Sequence, residues 1–241
     1  MPTNWFLPRR EFDPEKRELM DENLPWSPAF VLNLHNLQSL NRWFGSYALI
    51  DWFLHRWFRS GQSLTVLDLC TATADIPRRI VDHARARGMT VRVEALEAQP
   101  ATLALAAREC AAYPEIRLVE ADVTQWRPDV RYDFVFCSLA LHHFAVPEAV
   151  ALLRRMRLAA KRAALVADLE RSDLGLIGIY LLTALLYRHR MTRHDGRLSM
   201  RRAFSKREFL QLANEAGWQG TRYRRFPVAR HAVWFENAPG A

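Results

Sequence analysis

The chain has 241 residues, half of them apolar and a quarter charged, with a formal net charge of +8. That length and apolar share are enough for one sizeable core, which excludes a disordered or disulfide-stapled miniprotein. Three cysteines, Cys70, Cys110 and Cys137, with no paired short spacing, argue against a disulfide framework and a zinc site, and fit a reducing, cytoplasmic setting.

Residues 1–30 carry Pro8, Arg9, Arg10, Glu11, Asp13 and Lys16 in place of the apolar run of a signal peptide. From residue 28 to 58, Phe30, Leu34, Leu37, Leu40, Phe44, Tyr47, Ile50, Leu54 and Trp57 fall at three- and four-residue steps, which predicts amphipathic helix divided at Gly45. Five of the eight tryptophans (Trp5, Trp26, Trp43, Trp52 and Trp57) lie in these first sixty residues, either packed on the core or capping a pocket. Residues 1–60 therefore read as an N-terminal helical cap and 61–241 as the main domain.

From Leu64 strand and helix alternate. Strands are expected at 64–69, 91–96, 116–120, 134–137 and 163–167, with helices at 76–87, 100–112 and 147–159 between them. Short continuous apolar strands in β-α-β-α order predict a parallel sheet covered by helices on both faces. The run Leu174–Tyr187 is too short to span a bilayer and reads as a buried or interfacial helix within an insertion at about 172–203, where a transient membrane-surface contact is one expectation. Between Arg188 and Arg207 stand eight Lys or Arg residues against the single acid Asp195. That density suits an anionic partner, but without interleaved aromatics beyond Phe204 a nucleic-acid platform is poorly supported. Ser205 and Glu208 form a capping box for a helix ending at Gly217, and 221–226 with 231–235 read as a closing antiparallel hairpin.

In an open parallel sheet, ligands bind at the carboxyl ends of the strands. The first strand ends in Asp68 and the small-residue loop Cys70-Thr71-Ala72-Thr73-Ala74, with Asp75 and Pro77 opening a helix beneath it. Glu97, followed by Ala98, ends the second strand, where a carboxylate accepts two ribose hydroxyls side by side. Asp122 and Val123 follow the third, suited to an adenine amine and ring or, for the acid, to capping a turn. Ser138 and the pair His142-His143 follow the fourth, and a histidine there is a candidate catalytic base or a capped core edge. Cys70 adjoins no basic residue and reads as an inert thiol, and no metal ligand set is apparent.

Val66-Leu67-Asp68-Leu69 with its loop, Glu97, Glu120-Ala121-Asp122, Tyr132-Asp133-Phe134-Val135 and the Ser138–Phe144 segment containing Leu141-His142-His143 appear in order. In this the chain resembles the class I methyltransferases that use S-adenosyl-L-methionine, particularly the small-molecule enzymes of ubiquinone and menaquinone biosynthesis. The resemblance implies a Rossmann-like seven-stranded α/β sheet, mostly parallel with the last strand antiparallel, and S-adenosylmethionine over the Asp68–Ala72 loop with Glu97 on its ribose and Asp122 near its adenine. It also implies a small, largely apolar aromatic or polyketide-like acceptor under the helical cap, O-methylation being favoured over C-methylation.

The family's loop is usually Gly-x-Gly-x-Gly, and here Cys70, Ala72 and Ala74 replace the glycines. A Cβ at positive φ costs on the order of 1–2 kcal/mol per site. Two strained sites are then expected to weaken cofactor binding roughly 30- to 1000-fold. This motivates an alternative: a repurposed fold with weakened or non-methylating cofactor use. A nucleic-acid-associated protein using residues 188–207 is a further one. The acceptor and the oligomeric state are not legible.

Overall fold

The computed structural model describes residues 9–16, 18–19, 27–185 and 190–238. Seven strands form one sheet: β1 (Ser63–Leu69), β2 (Thr90–Glu97), β3 (Ile116–Glu120), β4 (Tyr132–Ser138), β5 (Ala160–Leu169), β6 (Arg222–Phe226) and β7 (Arg230–Glu236). Their order across the sheet is β3-β2-β1-β4-β5-β7-β6. β1 to β5 run parallel, and β7 is antiparallel to both β5 and β6.

The helices are α1 (Pro28–Trp43), α2 (Ser46–Trp57), α3 (Asp75–Arg85), α4 (Pro100–Glu109), α5 (Val146–Ala159), α6 (Asp173–Leu185), α7 (Arg190–Arg202) and α8 (Lys206–Glu215). Gly45 separates α1 from α2 at φ +85°, where only glycine is unstrained. Ser205 and Glu208 make the expected reciprocal capping box on α8.

The continuous apolar strands are buried on both faces, as the sequence pattern requires. On one face α5 and α8 cover β4, β5 and β7 through Val135, Leu153, Met156, Val166, Phe209 and Phe235. On the other, α2 and α3 bury Phe53, Trp57 and Ile80 against Val66, Phe134 and Trp234. Trp57 stacks on Phe134 at 5.2 Å and 8°. Trp52 and Trp57 thus pack on the core, whereas Trp43 is 75% exposed; Trp5 and Trp26 lie outside the described residues.

α6 and α7 form a helical pair inserted between β5 and α8. Gly175 of α6 permits the approach: a Cβ there would lie 3.1 Å from Ala229 of the β6–β7 turn and 3.2 Å from Met200 of α7. No helix of the described residues is long and apolar enough to cross a membrane.

His231 on β7 is fully buried, stacks on Phe209 at 4.3 Å and leaves Nε2 without a hydrogen-bond partner. Burial pushes its pKa down to about 4. The unfolded chain, titrating near 6.5, takes up this proton first, so stability is fully present above pH ~6.5 and falls as pH drops toward ~4, by up to about 3 kcal/mol. Urea melts between these limits should show that slope, and His231→Phe should flatten it.

Candidate active site

At the carboxyl ends of β1, β4 and β5 the molecule holds a cavity of about 820 Å³, closed over by α1, α6, α7 and the β6–β7 turn. Its polar lining includes Asp68, Thr71, Ser138, His142 and His143, and its apolar lining includes Leu37, Leu40, Phe44, Leu139, Ile179 and Phe226. Parallel strands deliver loops to this edge of the sheet, which is why the site forms here.

The loop after β1 answers the question posed by its composition. Cys70, Ala72 and Ala74 all adopt left-handed backbone, with φ of 57°, 49° and 56°. Three positions are therefore strained rather than two. Thr71 N–H donates to Leu96 O at 2.9 Å and Ala74 N–H to Thr71 O at 2.9 Å, which closes the turn. Ala72 N–H donates to Glu97 Oε2 at 2.9 Å, while Gln99 N–H donates to Glu97 Oε1 at 2.9 Å.

α1 and α2 brace the loop from above. Gln38 Nε2 donates to Thr73 Oγ1 at 2.6 Å, and Asn41 Nδ2 and Tyr47 OH both donate to Asp75 Oδ2, at 3.1 and 2.9 Å. Leu139, Val228 and Ala229 are the other non-glycine residues at positive φ among those described, and all three line the cavity. Backbone strain is concentrated at this one site, a pattern associated with function.

Asp68 is 2% exposed; its Oδ2 accepts from Thr71 Oγ1 at 2.6 Å, but its Oδ1 has no hydrogen-bond partner. Burial pushes its pKa up to about 7. A carboxylate oxygen left unsatisfied at a cavity wall suits a cationic or hydrogen-bond-donating ligand. Cys70 offers no nucleophile: its thiol bonds that of Cys137, and this contact with burial drives it well above the usual thiol range.

On the opposite wall, Leu141–His143 form a single 3₁₀ turn after β4. Asp168, at the end of β5, accepts from His142 N–H at 3.0 Å and bonds His142 Nδ1 at 2.7 Å. Burial acts to raise the Asp168 carboxyl, but its bonds to His142 and the Leu169 amide prevail and hold it below the usual carboxylate range. The His142 and His143 rings stand 4.4 Å apart, and Glu18 from the N-terminal segment lies against both. Arg10 clamps the turn from the same segment, Nη2 donating to Phe144 O at 2.8 Å and Nε to Arg202 O at 2.6 Å.

The structure thus gathers Asp68, Cys70, Thr71, Ala72, Ser138, His142 and His143 around one cavity. Glu97, Ala98, Asp122 and Val123 are not among its lining residues. Glu97 is half-buried and tied to the Ala72 and Gln99 amides, and Ala98 is exposed. Asp122 is exposed and caps its own turn through Thr124 N–H at 2.7 Å, while Val123 is buried in the core. Asp168, Glu18 and Arg10 are additions that sequence reading missed. Asp168 carried a usable signal, an acid directly after an apolar strand, the same rule that selected Asp68 and Glu97; Glu18 and Arg10 carried none, because their partners are more than a hundred residues away.

Residues 66–162 match a family model described as a methyltransferase domain. The fold is similar to plantazolicin methyltransferase BpumL, solved in complex with SAH, at 12% identity and a TM-score of 0.69 over 93% of this chain and 96% of that one. It is similar also to the S-adenosylmethionine-dependent methyltransferase SibL (19% identity, TM-score 0.63, 93% of this chain and 63% of that one). Magnesium protoporphyrin IX methyltransferase from Synechocystis, with bound SAH, matches at 16% identity and a TM-score of 0.52 over 79% and 80% of the two chains. The chain spans 59% of a Nostoc punctiforme protein ascribed O-methyltransferase activity. No curated protein matches the chain.

Proposed function

We propose that this chain, whose residues 66–162 match a methyltransferase domain and whose fold is similar to methyltransferases, is a class I methyltransferase whose cavity binds S-adenosylmethionine over the Cys70–Ala74 loop and methylates a small, largely apolar acceptor. The observation that carries this reading is the loop itself, already in the left-handed conformation that glycines ordinarily supply, beside a buried Asp68 oxygen with no partner. The residues fit the cofactor: its ammonium or sulfonium charge is complementary to the buried Asp68 oxygen at the cavity wall. The resemblance puts Asp122 and Val123 at the adenine end, but Asp122 caps its own turn and Val123 is core, so neither carries this proposal.

When bound, S-adenosylmethionine supplies an electrophilic methyl group whose transfer leaves the C–S electron pair on sulfur as S-adenosylhomocysteine. The chain's part is to align the acceptor for in-line attack and to take its proton. Leu37, Leu40, Phe44, Leu139, Ile179 and Phe226 give the acceptor an apolar bed. Asp168 on Nδ1 orients His142, and either His142 or His143 receives the proton if the acceptor atom is oxygen. O-methylation of an aromatic or polyketide-like compound is the preferred form of this reading.

Calorimetry with S-adenosylmethionine and S-adenosylhomocysteine is the test. Saturable binding with a micromolar Kd is expected, and no binding at millimolar ligand would sink the proposal. The alternative use of a repurposed cleft predicts binding without transfer to any acceptor. Nucleic-acid binding through residues 188–207 finds less support, since Arg202 is buried and Arg201 is engaged with Glu11 and Tyr180.

A further inference from the structure

Glu18, His142 and His143 each present one ligand atom, and these atoms all lie within 4.8 Å of one another. Glu18 Oε1 is 3.7 Å from His142 Nε2 and 3.8 Å from His143 Nε2. Both separations are too long for hydrogen bonds. They approach the edge of a tetrahedral coordination shell, since two donors about 2.0–2.1 Å from a zinc ion stand roughly 3.4 Å apart. The two Glu18 separations need a contraction of only a few tenths of an ångström to reach that value.

His142 is held as a metal ligand needs to be held. Asp168 bonds Nδ1 at 2.7 Å, which fixes the ring with Nε2 3.7 Å from Glu18 Oε1. Glu18 and His142 are each 2% exposed, so the ligand atoms are held within the protein. Ser199 Oγ donates to the same Glu18 oxygen at 2.6 Å, fixing the carboxylate in place. His143 is half-buried, and all three residues line the large cavity, so the cluster is open on one side.

We propose that Glu18, His142 and His143 bind a divalent transition-metal ion, zinc in the first instance, with a further coordination position directed at the cavity. Two imidazoles and one carboxylate with an open position are the donor set of catalytic zinc, and nitrogen donors disfavour Mg²⁺ and Ca²⁺. An acceptor hydroxyl taken into the open position would give up its proton to water in the cavity as its oxygen binds the metal, which deepens the methyl-transfer reading by making His142 and His143 ligands and the metal the means of activation. Metal binding itself requires nothing of that reading, because it is measured without cofactor or acceptor.

The test uses the tag-free full chain, stripped with a chelator and titrated with Co²⁺ by visible absorption and with Zn²⁺ by calorimetry. One equivalent of Co²⁺ should give tetrahedral bands that Zn²⁺ displaces, and Mg²⁺ should give no saturation. Glu18→Gln and His143→Gln should each weaken Zn²⁺ binding at least roughly tenfold, and Asp168→Asn, which acts through His142, by about 10- to 100-fold. Circular dichroism establishes that each variant is folded, and Glu18→Gln, which preserves shape, decides the matter if Asp168→Asn is not. Absence of saturable Co²⁺ or Zn²⁺ binding at millimolar metal overturns the proposal. So does stoichiometric binding that Glu18→Gln and His143→Gln leave unchanged.

Discussion

The triple variant Cys70→Gly, Ala72→Gly, Ala74→Gly is expected to be more stable than the natural chain, by about 3 kcal/mol in urea denaturation. The three residues hold φ of 57°, 49° and 56°, a region where an L side chain is disfavoured by roughly 1–2 kcal/mol and glycine is not. Lost burial reduces the gain at Ala74, which is fully buried, and at Cys70, which packs on the core. The single Ala72→Gly change, at a half-buried position lining the cavity, should show the effect most cleanly, at about 1 kcal/mol. A triple variant less stable than the natural chain would mean that the loop is not left-handed at these positions. What keeps so unfavourable a loop in place is its bracing by Gln38, Asn41 and Tyr47, together with the bond from Ala72 N–H to Glu97.

Asp195→Ala is expected to destabilise the fold by about 3–5 kcal/mol and to release the N-terminal segment from the site. Asp195 is fully buried on α7 and accepts from Leu19 N–H at 2.8 Å, Asn33 Nδ2 at 3.5 Å and His194 Nδ1 at 3.0 Å. Removing the carboxylate strands these donors in a buried setting, where each unsatisfied group costs about 1–3 kcal/mol. Because Leu19 adjoins Glu18, the same change unseats the carboxylate that faces His142 and His143. Hydrogen exchange should report this locally, as loss of protection at the Leu19 amide exceeding the global loss of stability. Equal protection in variant and natural chain would show that Asp195 does not tether the segment.

Asp195 also marks where the sequence was legible and where it was not. As the lone acid among eight basic residues from 188 to 207 it stood out, but only as an exception to a charge run. Its role depends on Leu19 and Asn33, more than 150 residues away, and no local pattern encodes such a contact. By contrast, strand and helix order, the division at Gly45, the Ser205–Glu208 cap and the closing hairpin all rest on short-range rules, and the elements lie within a few residues of where those rules put them. The loop was half legible. Its composition identifies three positions that want glycine, yet only the structure shows that the left-handed turn forms without glycine. The His142 pair was visible as a motif, whereas its partners Asp168 and Glu18 come from β5 and the N-terminal segment and meet it only in the folded chain.

We propose that this glycine-free loop is a working cofactor loop, its left-handed turn carrying Cβ atoms where glycines are usual. Side-by-side calorimetry of S-adenosylmethionine binding to the natural chain and to the triple-glycine variant tests it most directly. Micromolar affinity in both, differing by no more than a few-fold, is the expected result; affinity that is absent from the natural chain at millimolar ligand and appears only in the variant would contradict it.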